Sequence, residues 1–122
     1  MSAETNAETA RPAYRQTLEE WMENEKPYLN PDFKLLDLRK VLPLNRTYLS
    51  QFIHNEYDCS FYQFVNRYRI EEYQRLKTEH PEMKIGELSA RCGFSSPTVF
   101  TRTFTQITGT TPSEWGKKFH SA

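Results

Sequence analysis

The architecture of this chain is most plainly written in GFSSPTVFTRTFTQITGTTPSEW, residues 93–115. Threonine stands at 98, 101, 103, 105, 108, 110 and 111, although it is a poor helix former. Val99, Phe100, Phe104 and Ile107 nevertheless recur at i, i+1, i+5, i+8, which predicts a helix with these four inward. Thr98, Thr101, Arg102 and Thr105 then share the opposite face. Stability alone favours Glu, Lys, Ala or Gln at exposed helix positions, because Thr loses χ1 freedom against the preceding turn. The face therefore reads as selected for something other than helix stability. Ser96 followed by Pro97 predicts the start of this helix. Thr111 and Glu114 form a capping box, with Pro112 at the first position of a last helix that carries Trp115.

Working toward the N-terminus, Ile85, Leu88 and Cys92 predict a short helix that Gly93 turns into the threonine-rich one. A shift of 51 residues repeats the grammar. Thr47 meets Thr98, Leu49 meets Phe100, Ser50 meets Thr101, Gln51 meets Arg102, Ile53 meets Phe104, Ser60 meets Thr111 and Phe64 meets Trp115. Leu35, Leu38, Val41 and Leu42 predict the first short helix of this earlier copy, closed by Pro43. Asn45 is placed to cap a following helix that carries Tyr48, Leu49, Phe52 and Ile53 inward. The outward set Thr47, Ser50, Gln51 and His54 matches Thr98, Thr101, Arg102 and Thr105. Between the copies, Ser60 and Gln63 fit a capping box that opens a long helix over about 60–78, with Phe61, Phe64, Val65, Tyr68 and Leu76 on its buried side. Ahead of both copies, Tyr14, Leu18, Trp21 and Met22 predict a helix that begins near Pro12, ends at Pro27 and is acidic outside.

A length of 122 residues at 37% hydrophobic supports one domain with a core. Aromatics at 14% and few β-branched runs favour packed helices over a sandwich. The expectation is an all-α fold of about seven helices: two helix-turn-helix units joined by a long linker helix, with an extra N-terminal helix. In numbers, 1–11 is a disordered tail and 12–122 the domain. Within it lie a first helix-turn-helix at about 34–57, the linker at about 60–78, a second helix-turn-helix at about 83–108 and a final helix at about 112–119.

Net charge is zero, but it is polarised: 4 Lys/Arg against 8 Asp/Glu over residues 1–37, and 12 against 8 over 38–122. Cys59 and Cys92 form no CxxC, and His54, His80 and His120 stand at no ligand spacing to them, so the cysteines read as reduced structural thiols. No apolar run approaches the roughly 20 residues that span a bilayer, and residues 1–14 lack the basic and apolar regions of a signal peptide; a cytoplasmic protein is expected. Paired carboxylates, a Ser/His/Asp or Cys/His arrangement and a Gly-rich phosphate loop are all missing from the pattern, so no catalytic residue, metal or cofactor is expected and the chain does not read as an enzyme.

Two short helices joined by a tight turn, the second presenting hydroxyls, an amide and a guanidinium, fit a helix-turn-helix whose second helix enters the DNA major groove. Arg can pair with guanine O6 and N7, Gln with adenine, and Ser or Thr with bases or the thymine methyl, while short side chains permit close approach. Cap hydroxyls and helix N-termini suit phosphates. NRTYLSQFIHNEYDCSFYQFVNRYRI and IGELSARCGFSSPTVFTRTFTQITGTTPSEW resemble the DNA-binding domain of the AraC/XylS family of bacterial transcription regulators.

That resemblance covers about 90 residues and implies two recognition helices in successive major grooves of double-stranded DNA. It points to Arg46, Thr47, Ser50 and Gln51 in the first unit and Pro97, Thr98, Thr101 and Arg102 in the second as base contacts. Phosphate contacts fall to Asn45, Ser95, Ser96 and Thr105. It further implies RNA polymerase as a partner and a sensory or dimerisation domain beside this one. The family prefers a small residue where this chain has Arg39 and Ser89, Ala at Tyr73, Gly at Asp58 and Arg at Gly116. A helical protein-interaction module on the same scaffold is the competing expectation.

Overall fold

Helices form every regular element in the computed structural model, which describes residues 3–118, with side chains described from Arg11; no strand occurs among these residues. Two compact units divide the chain. One combines the chain up to Pro27 with Phe33–Phe61, and the other combines Tyr28–Asp32 with the chain from Tyr62 onward.

In the first unit, α1 runs over Ala3–Glu25 and continues through Pro12. The sequence reading places a disordered tail over 1–11, whereas the helical backbone starts at Ala3. The Ala- and Glu-rich run there is good helix-forming composition; residues 1 and 2 lie outside the described residues. Leu18 and Met22 are fully buried, so α1 belongs to the core of this unit rather than being appended to it. Its outer side is tied to a second helix, α2, over Arg46–Tyr57. Arg11 and Arg15 reach Glu56, the Tyr57 hydroxyl donates to Glu19, and Tyr14 meets the Phe52 ring edge-on.

The helix expected around Leu35–Leu42 is a 3-10 helix, Leu35–Lys40, whose first turn is closed by the Asp37 carboxylate accepting from the Lys34 N–H at 2.8 Å. Leu38 and Leu42 are buried, while Val41 is half-buried and Leu36 exposed. Asn45 caps α2 as expected, its side-chain oxygen accepting from the Tyr48 N–H at 3.0 Å. Leu49, Phe52 and Ile53 point inward, but Tyr48 does not: it is 56% exposed. At the far end Asp58 adopts the left-handed conformation, φ 53°, ψ 42°. Asp tolerates this region better than most residues, and Gly does so without strain.

The linker helix α3, Phe61–Glu79, is continuous and starts one residue later than expected. In the second unit it is followed by α4, Ile85–Arg91, α5, Pro97–Thr108, and α6, Pro112–Lys117. The final helix expected to reach residue 119 ends at Lys117, and 119 lies outside the described residues. Ile70, Tyr73, Leu88, Cys92, Phe94, Phe100 and Phe104 form the core of this unit, with Trp115 packed against it. Tyr73, standing where the family prefers Ala, is the centre of that core, with its ring 4.7 Å from Phe100 and 5.6 Å from Phe104. Cys59 and Cys92 are both buried and form no disulfide.

The turn between α4 and α5 rests on a long-range arrangement. Gly93 has φ 96°, and a Cβ there would run into the Tyr28 carbonyl oxygen and lie 2.8 Å from the Arg69 Nε. Arg69, buried on α3, donates to the Tyr28 and Asn30 carbonyl oxygens at 2.8 and 2.9 Å, and burial pulls its pKa down. Those bonds satisfy the guanidinium where water is excluded. Lys77, also buried, donates to the Pro81 and Met83 carbonyls and so shapes the chain leading into α4.

Candidate nucleic-acid interface

Each unit presents its second helix after a tight turn, and the 51-residue repeat recurs in the backbone. α2 and α5 both have 12 residues; Asn45 and Ser96, 51 apart, cap their starts; Asp58 and Gly109, also 51 apart, close their ends in the left-handed region. Gly109 adopts φ 81° and donates its N–H to the Thr105 carbonyl, as Asp58 does to His54.

On α2, Asn45, Arg46, Thr47, Ser50, Gln51 and His54 are all exposed. On α5, Pro97, Thr98, Thr101 and Arg102 are exposed with Ser95 just ahead, while Ser96 and Thr105 are half-buried. Pro97, Thr98, Thr101, Arg102 and Thr105 together line one open concavity. Gln106 joins them there, a residue the sequence reading passed over; its position four residues after Arg102 and eight after Thr98 was the available signal. Exposed Tyr48 likewise adds an aromatic ring to the outer surface of α2.

The seven threonines divide by role. Thr98 and Thr101 face out. Thr103 is buried, at 5% exposure, on the inward side where Ile107 had been expected; Ile107 itself is 44% exposed, and Val99 is half-buried. Thr105 donates its hydroxyl to the Thr101 carbonyl at 2.8 Å, so its hydrogen is already committed within the helix. Thr108 donates to the Phe104 carbonyl and accepts from the Thr110 N–H, tightening the end of α5. Thr110 donates to the Glu114 carboxylate, and Thr111 caps α6 by accepting the Glu114 N–H at 3.2 Å. The Glu114 side chain thus reaches the Thr110 hydroxyl. Much of the threonine crowding therefore serves the α5–α6 junction, and a smaller part serves the outward face.

The charged groups follow the same division. Arg11, Arg15, Arg75 and Arg91 all pair with carboxylates. Arg46 and Arg102 form no ion pair or hydrogen bond with any described residue, leaving both guanidiniums presented outward. The caps add chemistry of their own: Asn45 uses its oxygen to cap and keeps its amide donors, and Ser96 accepts from the Val99 N–H and keeps its hydroxyl proton. These are donor groups at helix N-termini, where an anion is favoured.

The family described as a helix-turn-helix domain matches residues 38–118. The chain belongs to the AraC/XylS-type helix-turn-helix family. Among curated relatives of this AraC/XylS-type chain, the Msm operon regulatory protein of Streptococcus mutans is 28% identical over 115 residues, covering 85% of this chain and 41% of that protein. The HTH-type transcriptional activator RhaR of Cronobacter sakazakii is 32% identical over 71 residues, covering 58% of this chain and 25% of its own length. The chain therefore spans less than half the length of these relatives. Among solved structures, the C-terminal domain of AraT, a response regulator from Geobacillus stearothermophilus, superposes with a TM-score of 0.72 at 22% identity, over 88% of this chain and 85% of that one. The DNA-binding domain of AdpA in complex with a target DNA gives 0.72 at 18% identity, over 88% and 93%. These are likenesses of fold. No helix among the described residues is long and apolar enough to cross a membrane.

Proposed function

We propose that this chain is a sequence-specific DNA-binding transcription regulator, or the DNA-binding part of one, acting in the cytoplasm without catalysis or a cofactor. The observation that carries the proposal is the pair of exposed helix faces, each opened by a capped N-terminus and each holding a guanidinium with no partner among the described residues. α2 and α5 are the recognition helices, each entering a major groove. Arg46, Thr47, Ser50 and Gln51 read base edges in one element of the site, and Pro97, Thr98, Thr101 and Arg102 in the other. Asn45, Ser95 and Ser96 hold phosphates through amide, hydroxyl and helix-terminal N–H donors. Thr105 takes part only by giving up its bond to the Thr101 carbonyl. AdpA, whose DNA-binding domain shares this fold, was solved on a target DNA. RhaR is named a transcriptional activator, and by analogy RNA polymerase is the second partner proposed here, with a sensory or dimerising domain supplied by the rest of a longer protein.

The test is selection of duplexes from a randomised library, followed by titration of the winner at several salt concentrations. A regulator enriches a bipartite, asymmetric site, since the two faces differ in residue content, and its log affinity falls linearly with log salt as phosphate counterions are released. No enrichment and a flat salt response would place the chain instead among protein-interaction modules.

A further inference from the structure

Beside the outward face of α5 lies a second concavity, about 350 Å³, shared with the first half of α3 and lined by Tyr62, Gln63, Asn66, Arg67, Thr103, Gln106 and Ile107. Two of these residues are polar and almost fully buried: Asn66 is 3% exposed and Thr103 5%. Neither side chain makes a hydrogen bond with any described residue, and because the Tyr73 hydroxyl is the one fully enclosed side-chain polar atom without a partner among the described residues, the polar atoms of Asn66 and Thr103 open to the surface. A carboxamide and a hydroxyl that line a concavity, reach its surface and have no partner within the chain are available to a partner from outside it. Apart from Ile107 every lining side chain can donate a hydrogen bond, Arg67 adds a positive charge and no carboxylate is present, a composition that favours an oxyanion over a cation. Gln106 lines both this concavity and the one on the outward face of α5. An oxyanion held here therefore sits directly beside whatever α5 reads.

We propose that this concavity is a phosphate site, filled by a backbone phosphate of the duplex that α5 engages, with Asn66 and Thr103 donating to its oxygens and Arg67 adding charge. The inference rests on the DNA-binding reading above and adds to it a contact made by the linker helix, outside both recognition helices. A phosphate contact carries no sequence information, so its signature is a loss of affinity that is uniform across sequences.

Asn66→Asp keeps the size of the side chain and places a carboxylate where the phosphate would sit. Binding to the selected duplex and to a random duplex should weaken together by roughly 10-fold, with base preference unchanged. Gln106→Glu, at an exposed position that does not threaten the fold, should act in the same direction, and melting temperatures of both variants check that folding is retained. Ethylating backbone phosphates one at a time should reveal one position that weakens the wild type and has no further effect on Asn66→Asp. The side-chain amide signal of Asn66, followed by NMR, separates the sources of phosphate. A shift with duplex alone assigns the site to the DNA backbone. A shift with inorganic phosphate, against chloride at matched ionic strength, shows that free phosphate is also accepted. Unchanged duplex affinity in both folded variants, with an Asn66 signal that responds to neither, overturns the proposal while leaving the DNA-binding reading standing. Should the chain bind no duplex at all, that reading falls, and the response to inorganic phosphate alone decides whether the site exists.

Discussion

Replacing Tyr73 by Phe should stabilise the protein. The Tyr73 side chain is fully buried among Phe100, Phe104 and Trp115, and its hydroxyl finds no hydrogen-bond partner among the described residues. Phe retains the ring contacts and removes the group that was taken out of water without compensation. Leaving a buried polar group unsatisfied costs about 1–3 kcal/mol, whereas the gap left by one oxygen, smaller than a methyl group, costs under about 1 kcal/mol. The net expectation is a gain of about 1 kcal/mol, or roughly 3–6 °C in melting temperature for a domain of this size.

The pH dependence supplies an independent check on the same hydroxyl. Burial pushes the Tyr73 pKa up from 10.0 to about 12, because the phenolate is disfavoured away from water. Below pH 10 the group is protonated both folded and unfolded and contributes no slope. Between pH 10 and 12 the unfolded chain releases the proton while the folded protein retains it, so stability falls as pH rises, by roughly 3 kcal/mol across the whole window. Tyr73→Phe removes that loss, so its advantage over the wild type should widen as pH rises above 10. Urea titrations at pH 8, 10 and 11 measure both effects. A variant that melts lower than the wild type would show that the hydroxyl is hydrogen-bonded, and a difference that stays constant from pH 8 to 11 would show that it reaches water; either result overturns the argument.

Arg102→Ala should weaken binding to the selected duplex by about 1–3 kcal/mol and relax preference at one base pair; a selection profile identical to the wild type's would count against Arg102 as a reading residue. Gly93→Ala combines a left-handed φ with a Cβ driven toward the Tyr28 carbonyl, and should cost more than about 1 kcal/mol, the ordinary cost of a side chain in that region, as seen by chemical denaturation. Asp58→Gly should do the opposite at φ 53°, raising stability by up to about 1 kcal/mol, less the extra chain entropy of Gly in the unfolded state; a drop in melting temperature would show that the Asp58 side chain makes a compensating contact. Phe104→Ala should destabilise the second unit by about 3–5 kcal/mol, as for other buried Phe residues, and an unaltered melting curve would contradict its inward placement.

Local chemistry alone made the order of the elements and the twofold repeat legible, though not the helical backbone ahead of Pro12 or the 3-10 form of Leu35–Lys40. Asn45, Ser96 and Thr111 cap because an oxygen one residue before a helix meets the N–H three residues on, whatever the rest of the chain does. The 3.6-residue period likewise puts Thr98, Thr101 and Arg102 on one side and Phe100 and Phe104 on the other. The same period states which residues share a face but not how wide the buried arc is or where its edges fall. Tyr48 and Ile107 lie at such edges and came out exposed, while Thr103 was drawn inside, because the neighbouring helices set those limits. The period also says nothing of partners distant in the chain. Arg69 holds the carbonyls of Tyr28 and Asn30 across about forty residues, and Gly93 is glycine because that segment passes against it. The concavity that holds Asn66 and Thr103 exists only where α3 and α5 meet. Contacts of this kind form between surfaces brought together by the hydrophobic collapse of the whole unit, so no local pattern announces them.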